Sequence, residues 1–109
     1  MKNAENAKYS DTDLKIARIA KALSHPARVQ ILKFLASHGK CYCGNIVDFL
    51  PISQSTVSQH LKELKDSGLI YDQIIQPKVY YCINQDNWNN AKELLFEEFF
   101  KINVYQCGE

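Results

Sequence analysis

Residues 53–70, SQSTVSQHLKELKDSGLI, constrain the fold of this 109-residue chain more than any other segment. They read as one short helix that gives way at once to a strand. Val57, Leu61 and Leu64 recur at i, i+4 and i+7, a narrow apolar stripe that needs a core on one side only. Ser53 stands at an N-cap position, and Gly68 stands where a left-handed residue closes a helix. The opposite face, toward the N-terminal end, carries Gln54, Ser55, Thr56, Ser58 and Gln59. These side chains are polar, uncharged and able to hydrogen-bond, which is the chemistry that reading base edges in a major groove requires. Taken alone, the segment is equally well an amphipathic helix with an ordinary wet face. Its neighbours decide.

A chain of this length makes one domain and buries roughly 65% of its unfolded surface, enough for one modest core. The expected organisation is a disordered arm at 1–10, a folded unit at 11–104 and a flexible tail at 105–109. No apolar run approaches the ~18 residues of a membrane span, and MKNAENAKYS lacks the apolar stretch of a secretory signal. The four cysteines are therefore expected as reduced thiols in a cytoplasmic protein rather than as a disulfide framework. The net charge of +1 is unevenly spread. Residues 1–70 hold ten Lys or Arg against six Asp or Glu, whereas 71–109 hold three against six. Phosphate-facing charge belongs to the first two-thirds.

Helical periodicity predicts a first helix over 12–23, capped by Ser10 or Asp11, with Leu14, Ala17, Ala20 and Leu23 on one side. Ile16 and Ile19 widen its apolar surface beyond one core stripe. Ser24 as cap and Pro26 in the first turn start a second helix over 26–37. It should bury Val29, Ile31, Leu32 and Leu35 and end at His38-Gly39. An extended piece over 40–43 leads to a third helix over 44–50, and Pro51-Ile52-Ser53 turns into the fourth. Two runs rich in β-branched and aromatic residues, 69–75 and 79–83, make a hairpin joined through Gln76-Pro77-Lys78. Asp86 caps a last helix over 87–104 that carries Trp88, Ala91, Leu94, Leu95, Phe96, Phe99, Phe100 and Ile102. That set is too broad for one stripe on a small monomer, so one face should meet the domain and another a partner. The expected fold is mainly α: a winged helix-turn-helix with about five helices and a two-stranded wing.

Three segments carry a family resemblance. Residues 22–35, ALSHPARVQILKFL, fit Ala-Leu-x-x-Pro-x-Arg-x-x-Ile-Leu, and residues 53–70 fit Ser-Gln-x-x-Val-Ser-x-His-Leu-x-x-Leu-x-x-Gly-Leu. Residues 79–84, VYYCIN, fit Val-Tyr-Tyr-x-Leu with Ile83 in place of Leu. Over about 14–104 the chain resembles an ArsR/SmtB-family transcriptional repressor. The resemblance implies a homodimer held by the first and last helices, with Ile16, Ile19, Trp88, Leu95 and Phe99 at the interface. It also implies release from an operator by a small inducer. Two recognition helices must enter successive major grooves roughly 34 Å apart, so the double-stranded operator should be an inverted repeat.

Ser53 and the free N–H groups of its helix start are candidates for a phosphate. Gln54, Ser55, Ser58 and Gln59 are candidates for base edges, and Thr56, Lys62 and Lys78 complete the expected DNA contacts. Two departures from the family pattern bear on affinity. Gln59 stands where many relatives carry Arg, and the wing tip offers Lys78 alone, flanked by Asp72. Fewer phosphate contacts and a shallower salt dependence are expected. The family motif assigns His60 to packing and a backbone contact, while His25 and His38 read as capping or solvated residues.

Cys41-Tyr42-Cys43 is similar to the Cys-Val-Cys of the family's metal and metalloid sensors. With Cys107 as a third ligand it could hold As(III), Cd(II), Zn(II) or Cu(I). Counting back from Ser53, however, the sensor thiols fall at the positions of Tyr42 and Gly44, and Val47 stands where arsenic-type relatives have a further cysteine. Two other readings stay open: buried thiols acting as small hydrophobes in a short strand, and thiol oxidation with Cys107 as resolving partner. Cys82, mid-strand in the wing, reads as structural. The last helix offers Asp86, Glu93, Glu97 and Glu98 but no His, so the family's other metal site has no counterpart there. No phosphate-binding loop or nucleophile–base spacing points to an enzyme. The rival class is a winged helix used for protein–protein contact. It would show apolar or acidic residues at 54, 55, 58 and 59, where this chain has two Gln and two Ser.

Overall fold

The computed structural model describes residues 8–108. Residues 1–7 of the expected arm and Glu109 of the expected tail lie outside them. The chain runs α1 (Asp11–Ala22), α2 (Pro26–His38), β1 (Cys41–Tyr42), α3 (Cys43–Phe49), α4 (Gln54–Asp66), β2 (Ile70–Ile75), β3 (Lys78–Ile83) and α5 (Gln85–Lys92). The last helix continues as a π-helical segment, Glu93–Phe99. This is the winged helix-turn-helix expected from the element order. No helix among the described residues is long and apolar enough to cross a membrane.

The core gathers Ile31 and Leu35 of α2, Ile46 of α3, Val57, Leu61 and Leu64 of α4, and Ile70 of β2, all almost fully buried. Three helices thus close over one side of the sheet, and α4 turns its other side outward. Its ends are set locally. The Ser53 hydroxyl accepts from the Thr56 N–H, and Gly68 takes the positive φ, 86°, that ends the helix and starts β2.

Four expectations need correction. The wing sheet has three strands, in the order β1-β3-β2. Cys41 pairs with Tyr81 and Tyr42 with Tyr80, and a two-residue strand made only by such pairing leaves no periodic trace in sequence. In consequence α3 begins at Cys43 itself, which is therefore not a strand residue. In α1 the core side is Ile19 and Ala22, while Ala17 and Ala20 are exposed. Rotating the helix to bury an Ile beside Leu69 and Ala91 removes more apolar area from water than burying Ala does. The cap of α2 is the His25 ring, whose Nδ1 accepts from the Ala27 N–H at 3.0 Å, and Ser24 instead donates to Lys21 O.

The fourth correction concerns α5. Asn84, not Asp86, caps it, accepting from the Asn87 N–H at 3.1 Å. Regular helix is over by Phe100, whose N–H closes on Leu95 O at 2.7 Å. Ile102, Val104 and Tyr105 beyond it lie exposed, with no protomer surface beneath them to stabilise further turns.

Candidate nucleic-acid interface

Helix α4 presents Gln54, Ser55, Ser58 and Gln59 to solvent, with Val57, His60, Leu61 and Leu64 buried on the reverse. Four hydrogen-bonding side chains therefore share one exposed surface at the helix start. Ser53 and Thr56 are less free. Their hydroxyls lie 2.9 Å apart, and Ser53 Oγ is also 3.2 Å from Ser55 Oγ. This local network holds the first turn together beside N–H groups suited to an anion. Lys62 is exposed but pairs with Asp66 at 3.1 Å across one turn.

Tertiary contacts fix the angle of α4. The Arg28 guanidinium donates through Nε to Ala22 O at 2.9 Å, and through one terminal nitrogen to Lys21 O and Ser24 Oγ, each at 3.1 Å. Its other terminal nitrogen lies 3.2 Å from His60 Nδ1. One side chain thereby ties the end of α1 and the start of α2 to the recognition helix. Because Arg28 only donates, His60 accepts at Nδ1 and keeps its proton on Nε2. The His25 ring packs beside His60, tilted by 47° with ring centres 4.4 Å apart. His60 is thus a packing residue as expected, but its partner is a side chain rather than backbone. At the other end, Arg18 donates to Asp66 O at 2.6 Å, and Lys21 reaches Glu63 at 3.9 Å.

The wing carries its charge differently from the expectation. Asp72 pairs with Tyr81 in the ladder while Lys78 pairs with Ile75, so the two sit at different heights of the hairpin. Asp72 instead accepts from Lys65 of α4 at 2.8 Å, and that hydrogen bond holds its carboxyl below the usual range. The carboxylate does not shield Lys78. The Lys78 ammonium is exposed and lies 3.8 Å from the centre of the Tyr42 ring.

The structure does not bring Cys41, Cys43 and Cys107 together. Cys41 is buried opposite Tyr81, and burial, with Cys82 second, pushes its thiol up, away from the thiolate a soft metal needs. Cys43 turns to α4, its sulfur 3.7 Å from Ser58 Oγ. Cys107 is exposed beyond the last helix. Among the described residues no three His, Cys, Asp or Glu side chains converge within the protomer.

Of the expected dimer residues, Ile19 lies in the protomer's own core and Trp88, Leu95 and Ile16 are half-buried. Phe99 is exposed, as are Phe96 and Phe100. Sequence alone gives Arg28 and Tyr42 no individual role. Arg28 stands within a motif but carries no mark of its partner, and an aromatic before a short helix resembles any core residue.

Residues 25–72 match the family model described as a bacterial regulatory protein of the arsR family. The HTH-type transcriptional regulator YgaV of Escherichia coli (strain K12) is 34% identical over 73 residues, 67% of this chain and 74% of that one. The transcriptional repressor PagR of Bacillus anthracis is 35% identical over 80 residues, 72% of this chain and 79% of that one. Among solved structures, the homodimeric winged helix-turn-helix DNA-binding domain Mb0332 of Mycobacterium bovis aligns with a TM-score of 0.64 at 25% identity. The alignment covers 91% of this chain and 97% of that one.

Proposed function

The chain belongs to the ArsR family of bacterial regulatory proteins, and on that premise we propose that it represses transcription as a homodimer. The dimer binds an inverted-repeat operator in the cytoplasm and is released by a small inducer. One observation carries the DNA reading. Helix α4 buries its apolar stripe completely and leaves Gln54, Ser55, Ser58 and Gln59 outward as a group, free of internal ion pairs. Gln matches adenine through N6 and N7, and the Ser hydroxyl can donate to or accept from a base edge. Ser53, the α4 start, Lys62 and Lys78 supply phosphate contacts that set register without reading sequence.

The dimer rests on the exposed aromatic surface of the last helix, where Phe96, Phe99 and Phe100 face outward. Two copies joined there set the recognition helices one turn of duplex apart. Three converging thiolates form no part of this reading, because Cys41, Cys43 and Cys107 lie apart.

Fluorescence anisotropy of the protein on DNA upstream of its own gene tests the proposal. Wild type should bind at low salt. Gln59→Ala should lose about 1–3 kcal/mol of discrimination against a shuffled fragment while keeping its helical signal. Adding As(III), Cd(II), Zn(II), Cu(I) and peroxide in turn identifies a thiol-directed inducer if one releases the DNA. No binding to any upstream fragment would favour the protein-contact alternative.

A further inference from the structure

The outward face of the wing sheet carries an array that DNA reading by α4 does not use. Tyr42 of β1 pairs with Tyr80 of β3, and their rings meet edge to face at 5.9 Å. Lys78, two residues before Tyr80 and so on the same face of β3, places its ammonium 3.8 Å from the Tyr42 ring centre. Lys40, two residues before Tyr42, lies over Tyr80 at 5.9 Å. Each cation sits on the ring of the neighbouring strand.

Two further observations give this array a purpose. Gly44 lets it form, because a Cβ there would stand 2.5 Å from a Tyr42 ring carbon. The ring therefore rests against the start of α3 at Gly44, where a side chain would push it away. The residue between them, Cys43, touches Ser58 on the exposed side of α4. A continuous run of contacts thus links Ser58, among the candidate base-reading residues, to Lys78, the sole basic residue of the hairpin.

We propose that Tyr42 is a positioning residue for DNA binding: its ring holds the Lys78 ammonium at the duplex backbone beside the recognition helix. A free lysine on a wing tip samples many rotamers and loses that freedom when it meets a phosphate. A lysine already resting on an aromatic face has lost part of it beforehand. Its ammonium keeps hydrogens for a phosphate while the ring contacts it from one side. The arrangement compensates for the sparse basic charge of this wing. It rests on the DNA reading above.

The test is a double-mutant cycle by anisotropy on the upstream fragment, with wild type, Tyr42→Leu, Lys78→Ala and the double variant. Tyr42→Leu should weaken binding by about two- to fivefold, and this loss should vanish in the Lys78→Ala background. Tyr42→Phe, which keeps the ring, should bind as wild type. Gly44→Ala should behave like Tyr42→Leu with its fold intact. In the free protein, the Lys78 side-chain protons should be shifted upfield by the ring current in wild type and Tyr42→Phe, and return to ordinary values in Tyr42→Leu. Equal losses from Tyr42→Leu with and without Lys78, or unshifted Lys78 protons in wild type, overturn the proposal while the DNA reading stands. Failure of wild type to bind removes the DNA reading and this proposal with it.

Discussion

His60 shows how one residue makes the recognition helix sensitive to protons. It is buried on the inner side of α4, with Arg28 of α2 against Nδ1 and the His25 ring tilted beside it, while the Lys21–Glu63 pair lies one turn further along. Burial first, then His25 and Arg28, push its imidazole below the ordinary histidine value. The unfolded chain takes up a proton near pH 6.5, whereas the folded chain resists doing so until lower pH. The contribution of neutral His60 to native stability is therefore fully present above about pH 6.5 and is lost as pH falls through that value toward the folded one. The loss is at most about 1.4 kcal/mol per pH unit. His60→Asn keeps an acceptor for Arg28 but cannot titrate. Chemical denaturation at pH 7.5 and pH 5.5 should show a smaller difference for this variant than for wild type, and equal differences would refute the role.

At the scale of the element, α4 does two jobs from one short stretch. Its apolar stripe anchors it, and its cap sets where the outward side begins. Ser53→Ala should cost about 1 kcal/mol, because the Thr56 N–H loses the acceptor it now has at 3.3 Å. Ser53→Asp separates cap from contact. An aspartate caps as well as serine and favours the positive helix end, but repels a phosphate. Its urea midpoint should match wild type while its DNA affinity falls. Loss of both together would mean that Ser53 serves the fold alone. The caps of α1 and α4 were legible because Ser10 and Ser53 act on residues three positions ahead. The caps of α2 and α5 are not legible in this way, since Ser24 and Asp86 are good capping types, yet His25 and Asn84 beside them accept the helix N–H groups.

At the scale of the whole molecule, the end of the last helix leaves aromatic side chains exposed. The π-helical segment has no buried residue, and Phe96, Phe99 and Phe100 touch one another, with ring centres 5.1 Å apart for Phe99 and Phe100 and 6.1 Å for Phe96 and Phe100. Such a surface calls for a partner, and the proposed homodimer supplies one. Phe99→Glu should leave the circular dichroism of the protomer unchanged, because Phe99 is 42% exposed, yet shift sedimentation from dimer to monomer. DNA affinity should fall with it, as each half-site is then bound alone. A dimer that persists in this variant would place the interface elsewhere.

By itself the sequence determined the elements whose signals are local: the amphipathic run of α4, its Ser53 and Gly68 ends, the hairpin, and the grouping of polar residues on one helical side. These depend on neighbours within a turn or a pleat, which periodicity records. Only the tertiary structure decided which side of α1 faces inward, that Cys41-Tyr42 forms a third strand, and that the thiols lie apart. It also paired Arg28 with His60 across 32 positions, Asp72 with Lys65, and Lys78 with the Tyr42 ring. Such contacts depend on how helices and sheet close over a shared core, and a long polar side chain finds its partner only after that closure.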